Sequence, residues 1–239
     1  MNQSFGVGSV LGMGFRVYGR NIVAFTLIAG VVYVPLILWT LSLTSGTFSV
    51  EAFEHFRYAA ALQILLNAFM TATLTYGVVK ELQGQRASIG ACLATGFARM
   101  LPAVGVAILQ ALAIMGGMIL LIVPGIIAAC ALYVAMPASV IEKPGIVGAL
   151  KRSAELTKGY RGAIFGLLLI MGVGGFVIGM VEQSAFIHGA EGFKSYLLVN
   201  CATDIVVGAL SSVIAAVAYF QLRAEKDGTT AHDLAKVFE

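Results

Sequence analysis

Long uncharged apolar segments alternate with short polar segments along this chain of 239 residues. The apolar segments are continuous and about twice the length of the roughly 10-residue alternating strands that build membrane β-barrels. Each segment reaches or approaches the roughly 20 residues that an α-helix needs to cross the hydrocarbon layer of a bilayer. The pattern therefore predicts an all-α, polytopic membrane protein with a single integral membrane domain, residues 1–239.

One apolar segment, residues 101–141, is too long for a single crossing. As one helix with a rise of 1.5 Å per residue it would measure roughly 60 Å, twice the hydrocarbon thickness. Pro124 and Gly125 favour a turn, because proline lacks an amide donor and glycine tolerates turn geometry. A re-entrant loop over residues 101–123 is the alternative to a full hairpin. The six expected spans are residues 22–43, 58–79, 101–123, 126–141, 162–181 and 203–222.

The placement of Lys and Arg tests this division, because basic residues accumulate in the short cytoplasmic loops of membrane proteins. Thirteen of the fifteen Lys and Arg residues precede the first span or follow the second, fourth or sixth. The opposite connections contain Arg57 and Lys194 as their basic residues. The sequence therefore predicts a multi-pass protein of a bacterial cytoplasmic membrane, with both termini in the cytoplasm.

Each basic segment that precedes a pair of spans has apolar residues at helical spacing, which predicts an amphipathic surface helix. The unit of one surface helix and two spans occurs three times, so we expect a three-fold helix-plus-hairpin repeat. The expected surface helices are residues 4–19, 87–99 and 145–159.

The third surface helix is the most basic, and each basic residue near an anionic leaflet gains about 1 kcal/mol. We expect it to contact the headgroups of anionic phospholipids. Two alternatives stay open: the segment is an ordinary basic loop, or the Arg152 guanidinium pairs with Glu142 or Glu155. The candidate headgroup ligands are Lys151, Arg152, Ser153 and Lys158.

Polar residues within the spans form a second group of candidates. Asp204 adjoins the sixth span, and a carboxylate inside a membrane is a functional-site hypothesis by default. Asp204 lies either at the outer interface or in a buried site that handles protons or ions. Gln63, Asn67 and Gln110 either form hydrogen bonds between helices or line a polar transport path.

The fifth span is rich in glycine, with Gly162 and Gly166 and then Gly175 and Gly179 at the four-residue spacing of closely packed membrane helices. We expect these glycines to pack inside one bundle, with contact between protomers as the alternative.

Enzyme chemistry finds no support, because the chain contains no catalytic motif and its three histidines lie in separate segments. The three cysteines share no metal-binding spacing, so we expect buried apolar filler, no metal site and no cofactor. The net charge of +3 gives no support for nucleic-acid binding. The cysteines are Cys92, Cys130 and Cys201, and the histidines are His55, His188 and His232.

Several short segments together resemble the glycerophosphoryl diester phosphodiesterase membrane-domain superfamily and its uncharacterised stand-alone bacterial relatives. These segments are IVPGI at 122–126, MPA at 136–138, EKP at 142–144, ALKRSAELTKG at 149–159 and AYFQLR at 218–223. The resemblance implies six helices, a central Pro-Gly break at Pro124 and Gly125, and a surface-helix motif at Arg152 and Ser153. It implies no catalysis here, since hydrolysis in the fused relatives belongs to a separate soluble domain.

These observations predict a non-enzymatic protein that organises lipids or partner proteins at the cytoplasmic leaflet. Its expected partners are anionic membrane phospholipids, together with a protein partner or further copies of the chain. The alternative is a small permease or lipid transporter that uses the polar faces of the second, third and sixth spans.

Overall fold

The computed structural model describes residues 5–42, 50–85, 88–188 and 192–228. Within these ranges the chain is helical and contains no strand, which confirms the predicted fold class. A π-helical segment, Asp204–Gly208, joins the last two helices. The helices are α1 Val7–Arg20, α2 Ile22–Ser42, α3 Val50–Leu82, α4 Ile89–Leu120, α5 Ile122–Leu132, α6 Ala135–Ile141, α7 Ile146–Thr157, α8 Arg161–His188, α9 Gly192–Thr203 and α10 Ala209–Asp227.

Six helical stretches in the described ranges are long and apolar enough to cross a membrane, as the sequence predicts. Two of them combine several helices: α5 and α6 form one stretch, and α9, the π segment and α10 contribute to another. The six stretches are Ile22–Leu41, Ala61–Leu82, Ile89–Leu120, Ile122–Ile141, Arg161–Gln183 and Leu198–Asp227.

The main core lies where α1, α2, α3, α8 and α10 meet, and large side chains fill it. Since hydrocarbon is as apolar as these side chains, van der Waals packing rather than exclusion of water holds such a core together. The largest fully buried side chains there include Phe25, Tyr33, Met70, Leu74 and Ile214.

The two described ends of the chain lie at the same end of the bundle. The Phe5 amide donates a hydrogen bond of 3.0 Å to the Glu225 carboxylate. Ala103, near the start of the long apolar segment, packs with Val140, near its close. The segment 101–141 therefore returns to the end from which it starts, as the charge pattern predicts. We call this end, which contains Glu142, α7 and the C-terminus of α10, the basic end.

The hairpin between α4 and α5 breaks earlier than predicted. Leu121 has an extended backbone, with φ −167° and ψ 151°, and separates the two helices. Pro124 and Gly125 therefore lie in the first turns of α5, so their assignment as the turn is wrong. Proline fits there because the first amides of a helix have no intrahelical acceptor. Gly125 instead allows close contact with Gly117 on the facing helix.

The second predicted surface helix, residues 87–99, does not exist as a separate element. Residues from Ile89 onward continue through Pro102 into one 32-residue helix, α4. No glycine or turn-forming residue stands between Arg99 and Pro102, so nothing ends the helix there. The three-unit repeat is correspondingly incomplete, because among the described residues only α1 and α7 are separate helices before their spans.

The first surface helix packs inside the bundle. α1 runs antiparallel to α10, with hydrogen bonds between the side chains of Ser9 and Gln221 at distances of 3.1 and 3.3 Å. At Gly14 an added Cβ would lie 2.9 Å from the Ile214 side chain, so this glycine sets the distance between the helices. The buried face of α1 thus contacts protein rather than headgroups.

Candidate functional site

A cluster of polar side chains lies at the end of the bundle opposite the basic end. It joins four elements: α2, α3, α8 and the region from α9 to the π segment. We call it the polar cluster and define it as Tyr33, Gln63, Asn67, Glu182, Asn200 and Asp204.

Hydrogen bonds connect the members of the polar cluster from helix to helix. The Gln63 amide donates to the Asn200 side-chain oxygen at 2.6 Å and to the Asp204 carboxylate. Asn200 in turn donates to Oε2 of Glu182 at 3.4 Å. The Tyr33 hydroxyl donates to Asn67 at 2.9 Å. The two carboxylates are therefore linked through two amide side chains.

Asp204 is the first residue of the π-helical segment in the sixth span. A π turn contains one more residue than an α turn and occurs frequently at functional sites. The Val206 carbonyl within this turn accepts a hydrogen bond of 3.3 Å from Tyr18 of α1. Next to Asp204, Gly208 lets Met70 approach, since an added Cβ would lie 3.0 Å from the Met70 methyl carbon.

Three of the four intramembrane candidates predicted from sequence come together in this cluster. Asp204 is half-buried there, and Gln63 and Asn67 form hydrogen bonds between helices, as expected for polar groups in spans. Gln110 is not part of the cluster. It lies half-buried on α4, which packs against α3 but contributes no member to the cluster.

Glu182 is, with Tyr33, a member that the sequence does not single out. It follows the apolar residue Val181 at the end of a span, where an acidic residue ordinarily faces water. In the structure it is only 8% exposed. Its Oε1 atom has no hydrogen-bond partner among the described residues. Its place at the boundary of an apolar segment is the one signal in the sequence.

A second group of polar residues, at the basic end, consists of four alternating charges. We call it the charge ring and define it as Glu142, Arg152, Asp227 and Arg223. Nε of Arg152 lies 2.8 Å from Oε2 of Glu142, and its Nη2 bonds Asp227. Nε of Arg223 lies 3.6 Å from Glu142 and 3.7 Å from Asp227, which closes the ring. Tyr219 adds a hydrogen bond of 2.6 Å to Glu142.

Arg152 therefore takes the pairing role rather than the headgroup role. Burial opposes its charge, but hydrogen bonds to Glu142 and Asp227 outweigh burial and raise the pKa of Arg152 above its ordinary value. The guanidinium is already occupied by two carboxylates, so its assignment as a headgroup ligand is not supported by the geometry.

Ser153 is also removed from the headgroup candidates, because it is fully buried. Its hydroxyl donates a hydrogen bond of 2.8 Å to the Ala131 carbonyl, and Thr157 donates to the same oxygen at 3.2 Å. That carbonyl belongs to the last turn of α5, where carbonyls lack intrahelical donors. Lys151 and Lys158 remain exposed on α7.

The glycines in the outer half of α8 do not pack inside the bundle, contrary to expectation. An added Cβ at Gly172, Gly174, Gly175 or Gly179 would meet no described atom within 4 Å. Closer to the basic end, Gly166 does contact Val7 of α1. Cys92, Cys130 and Cys201 are buried free thiols, which confirms their predicted role as core filler.

These features define a class: a multi-pass helical membrane protein with a polar cluster at one end of its bundle and a charge ring at the other. The chain belongs to the family described as "Domain of unknown function (DUF7847)", whose model matches residues 46–222. No curated protein and no solved structure matches the chain. The resemblance to the phosphodiesterase membrane-domain superfamily stays a prediction.

Proposed function

We propose that this is a non-enzymatic protein of a bacterial cytoplasmic membrane that organises anionic lipid at the cytoplasmic leaflet. In this proposal the basic end and both termini face the cytoplasm. The observation that carries it is that the middle of α8 is exposed on every side, whereas the start of the helix packs in the core through Ile164 and Leu167. All six residues from Gly172 to Val177 are exposed, although two to three residues of any such stretch would be buried in a packed helix.

A row of side chains along α8 matches the shape and polarity of a phospholipid. Five exposed apolar residues recur at intervals of four, and an exposed arginine, Arg161, occupies the same interval at the basic end. Residues four apart are neighbours on a helix, and because four residues exceed one turn by roughly 40°, the row winds about half-way around α8 between Arg161 and Val181. The apolar members of the row are Phe165, Leu169, Val173, Val177 and Val181.

The end of α7 brings a second cation to this row. Gly159, with φ +94°, adopts a left-handed conformation that L-residues with a side chain rarely take, and it turns the chain from α7 into α8. The turn leaves Lys158 and Arg161 exposed on either side of it. A phospholipid whose phosphate lies beside these two cations would have its acyl chains along α8. Lys151 lies two turns before Lys158 on the same face of α7 and extends the same basic surface.

The lipid proposal predicts that Lys158→Gln combined with Arg161→Gln weakens binding of phosphatidylglycerol by up to about 30-fold at low salt. Two cations contribute about 1 kcal/mol each near an anionic leaflet. Exchange of phosphatidylglycerol between protein in nanodiscs and added lipid, followed by native mass spectrometry, measures this change.

Glu155→Gln is the matched control, since Glu155 is an exposed acid on the same short helix. Its neutralisation should strengthen binding of phosphatidylglycerol, and neither variant should alter binding of zwitterionic phosphatidylcholine. Unchanged phosphatidylglycerol affinity in the double variant would contradict the lipid proposal.

A small permease is the second candidate, and the polar cluster favours it. Gln63, Asn67 and Asp204 converge from two spans, as a polar path requires, although α4 with Gln110 takes no part. The path would involve the second and sixth of the predicted spans, through α3 and the region from α9 to the π segment, with α2 and α8 in place of the third. Solute flux into liposomes that is present in the wild type and lost in Asp204→Asn supports this candidate. Absence of flux in the wild type removes it.

A further inference from the structure

The carboxylate of Glu182 is more than nine-tenths buried and only half satisfied. Oε2 accepts a hydrogen bond from Asn200, whereas Oε1 has no partner among the described residues. A buried charged group without compensation costs several kcal/mol, so such groups are normally paired or neutralised. This oxygen is therefore able to accept a hydrogen bond or to bind a cation.

The amide groups of the polar cluster do not supply the missing positive charge. Both donors of the Gln63 amide point outward to oxygens, one on Asn200 and one on Asp204. Asn200 gives a donor to Glu182. These bonds give each carboxylate a neutral N–H donor and no positive charge.

No positively charged side chain accompanies the two carboxylates in the part of the chain whose side chains the structure describes. Asp204 feels the negative charge of Glu182 through space. The other titratable groups that face the carboxylates carry no positive charge in either protonation state. They are Tyr33 of α2 and Tyr196 and Cys201 of α9.

From these observations we infer that the polar cluster holds one positive charge, a proton or a small monovalent cation, between Glu182 and Asp204. The ligand atoms are carboxylate and amide oxygens, which suit a proton or a hard cation such as Na⁺. A divalent ion fits less well, because the described residues contain no group of three carboxylate, imidazole or thiolate side chains. The inference concerns binding alone and is independent of the lipid proposal.

Thermal unfolding of the protein in nanodiscs tests the inference in two arms. One arm lowers the pH in choline chloride, and the other replaces choline with Na⁺ or K⁺ at constant pH and ionic strength. A ligand that binds the folded state raises the unfolding temperature, here by an amount on the order of 5 °C. A response to pH alone identifies a proton, and a response to Na⁺ or K⁺ that low pH suppresses identifies a cation.

Glu182→Gln should abolish most of the response, because the neutral amide needs no counter-charge. It should also unfold at a higher temperature than the wild type when no ligand is present. Asp204→Asn is the second variant and should reduce the same response. Glu155→Gln, which neutralises an exposed acid on α7, should leave it intact.

The inference is overturned if the wild type responds in neither arm, or if Glu182→Gln and Asp204→Asn both respond as the wild type does. Binding without solute flux in liposomes would retain the inference and remove the permease. Solute flux in a wild-type protein that shows no binding response would retain the permease and remove the inference.

Discussion

Gly117→Leu should lower the unfolding temperature by roughly 5–10 °C, the largest change we expect from a single substitution. An added Cβ at Gly117 would lie 2.8 Å from the Gly125 Cα and 2.9 Å from its amide nitrogen. Because the obstacle is backbone, it cannot rotate away, and α4 and α5 must separate. Overpacking of this kind costs up to about 3 kcal/mol. The fluorescence of Trp39, the one tryptophan in the chain, reports unfolding.

Gly116→Leu provides the control, since Gly116 is the neighbouring residue and has no described atom within 4 Å of an added Cβ. It should be neutral or slightly stabilising, because leucine favours a helix by up to about 1 kcal/mol over glycine. Equal behaviour of the two variants would mean that α4 and α5 are not in contact at Gly125.

Arg152→Ala should destabilise the protein by about 2 kcal/mol, which corresponds to a decrease of roughly 4–8 °C in unfolding temperature. The loss leaves the carboxylates of Glu142 and Asp227 with Arg223 as their shared cation. Arg152 is 23% exposed, so solvent screens part of the cost that a fully buried pair would show. Thermal unfolding of the wild type and of Arg152→Ala at low and high salt measures the effect. The difference in unfolding temperature between the two proteins should be smaller at high salt, because salt screens partly exposed charges.

Lys151→Ala is the control for the charge ring, because Lys151 is the preceding residue on α7 and is exposed. It should change the unfolding temperature little. For binding of phosphatidylglycerol we expect the opposite order: Lys151→Ala should weaken binding more than Arg152→Ala does. A stable Arg152→Ala variant with reduced lipid affinity would restore the headgroup role that the sequence predicts.

The spans and their arrangement were predictable from sequence, because each rests on a property that no tertiary contact can overrule. A segment such as 22–43 is too apolar for water, and α2 occupies almost the same residues. The charge bias likewise required the segment 101–141 to return to its starting side, and the packing of Ala103 with Val140 agrees.

The details of the α4 and α5 hairpin were not predictable in the same way. Pro124 and Gly125 are compatible with a turn and also with the first turns of a helix. Packing decides between them, because Gly125 is needed opposite Gly117. At Pro102 the sequence suggested the start of a new helix, but α4 continues through this proline.

The candidate sites were predictable only in part. Residue type and spacing identified Asp204, Gln63 and Asn67, because a polar group in an apolar span requires a partner. Glu182 and Tyr33 come from other helices, and sequence distance carries no information about such contacts. For the charge ring, the sequence offered a pair of Arg152 with Glu142 or Glu155 as an alternative to headgroup binding, whereas the second half of the ring depends on how α7 meets α10.

Cysteine accessibility in intact bacteria tests the central claim, that the basic residues gather on one side of a six-span membrane protein. Single cysteines would replace Ser88, Lys151 and Tyr58 after removal of the three native thiols, all of which are buried. A membrane-impermeant maleimide should label Tyr58→Cys in intact cells. It should label Ser88→Cys and Lys151→Cys only after permeabilisation. Labelling of Ser88→Cys and Lys151→Cys from opposite sides would contradict the topology and both functions proposed on it.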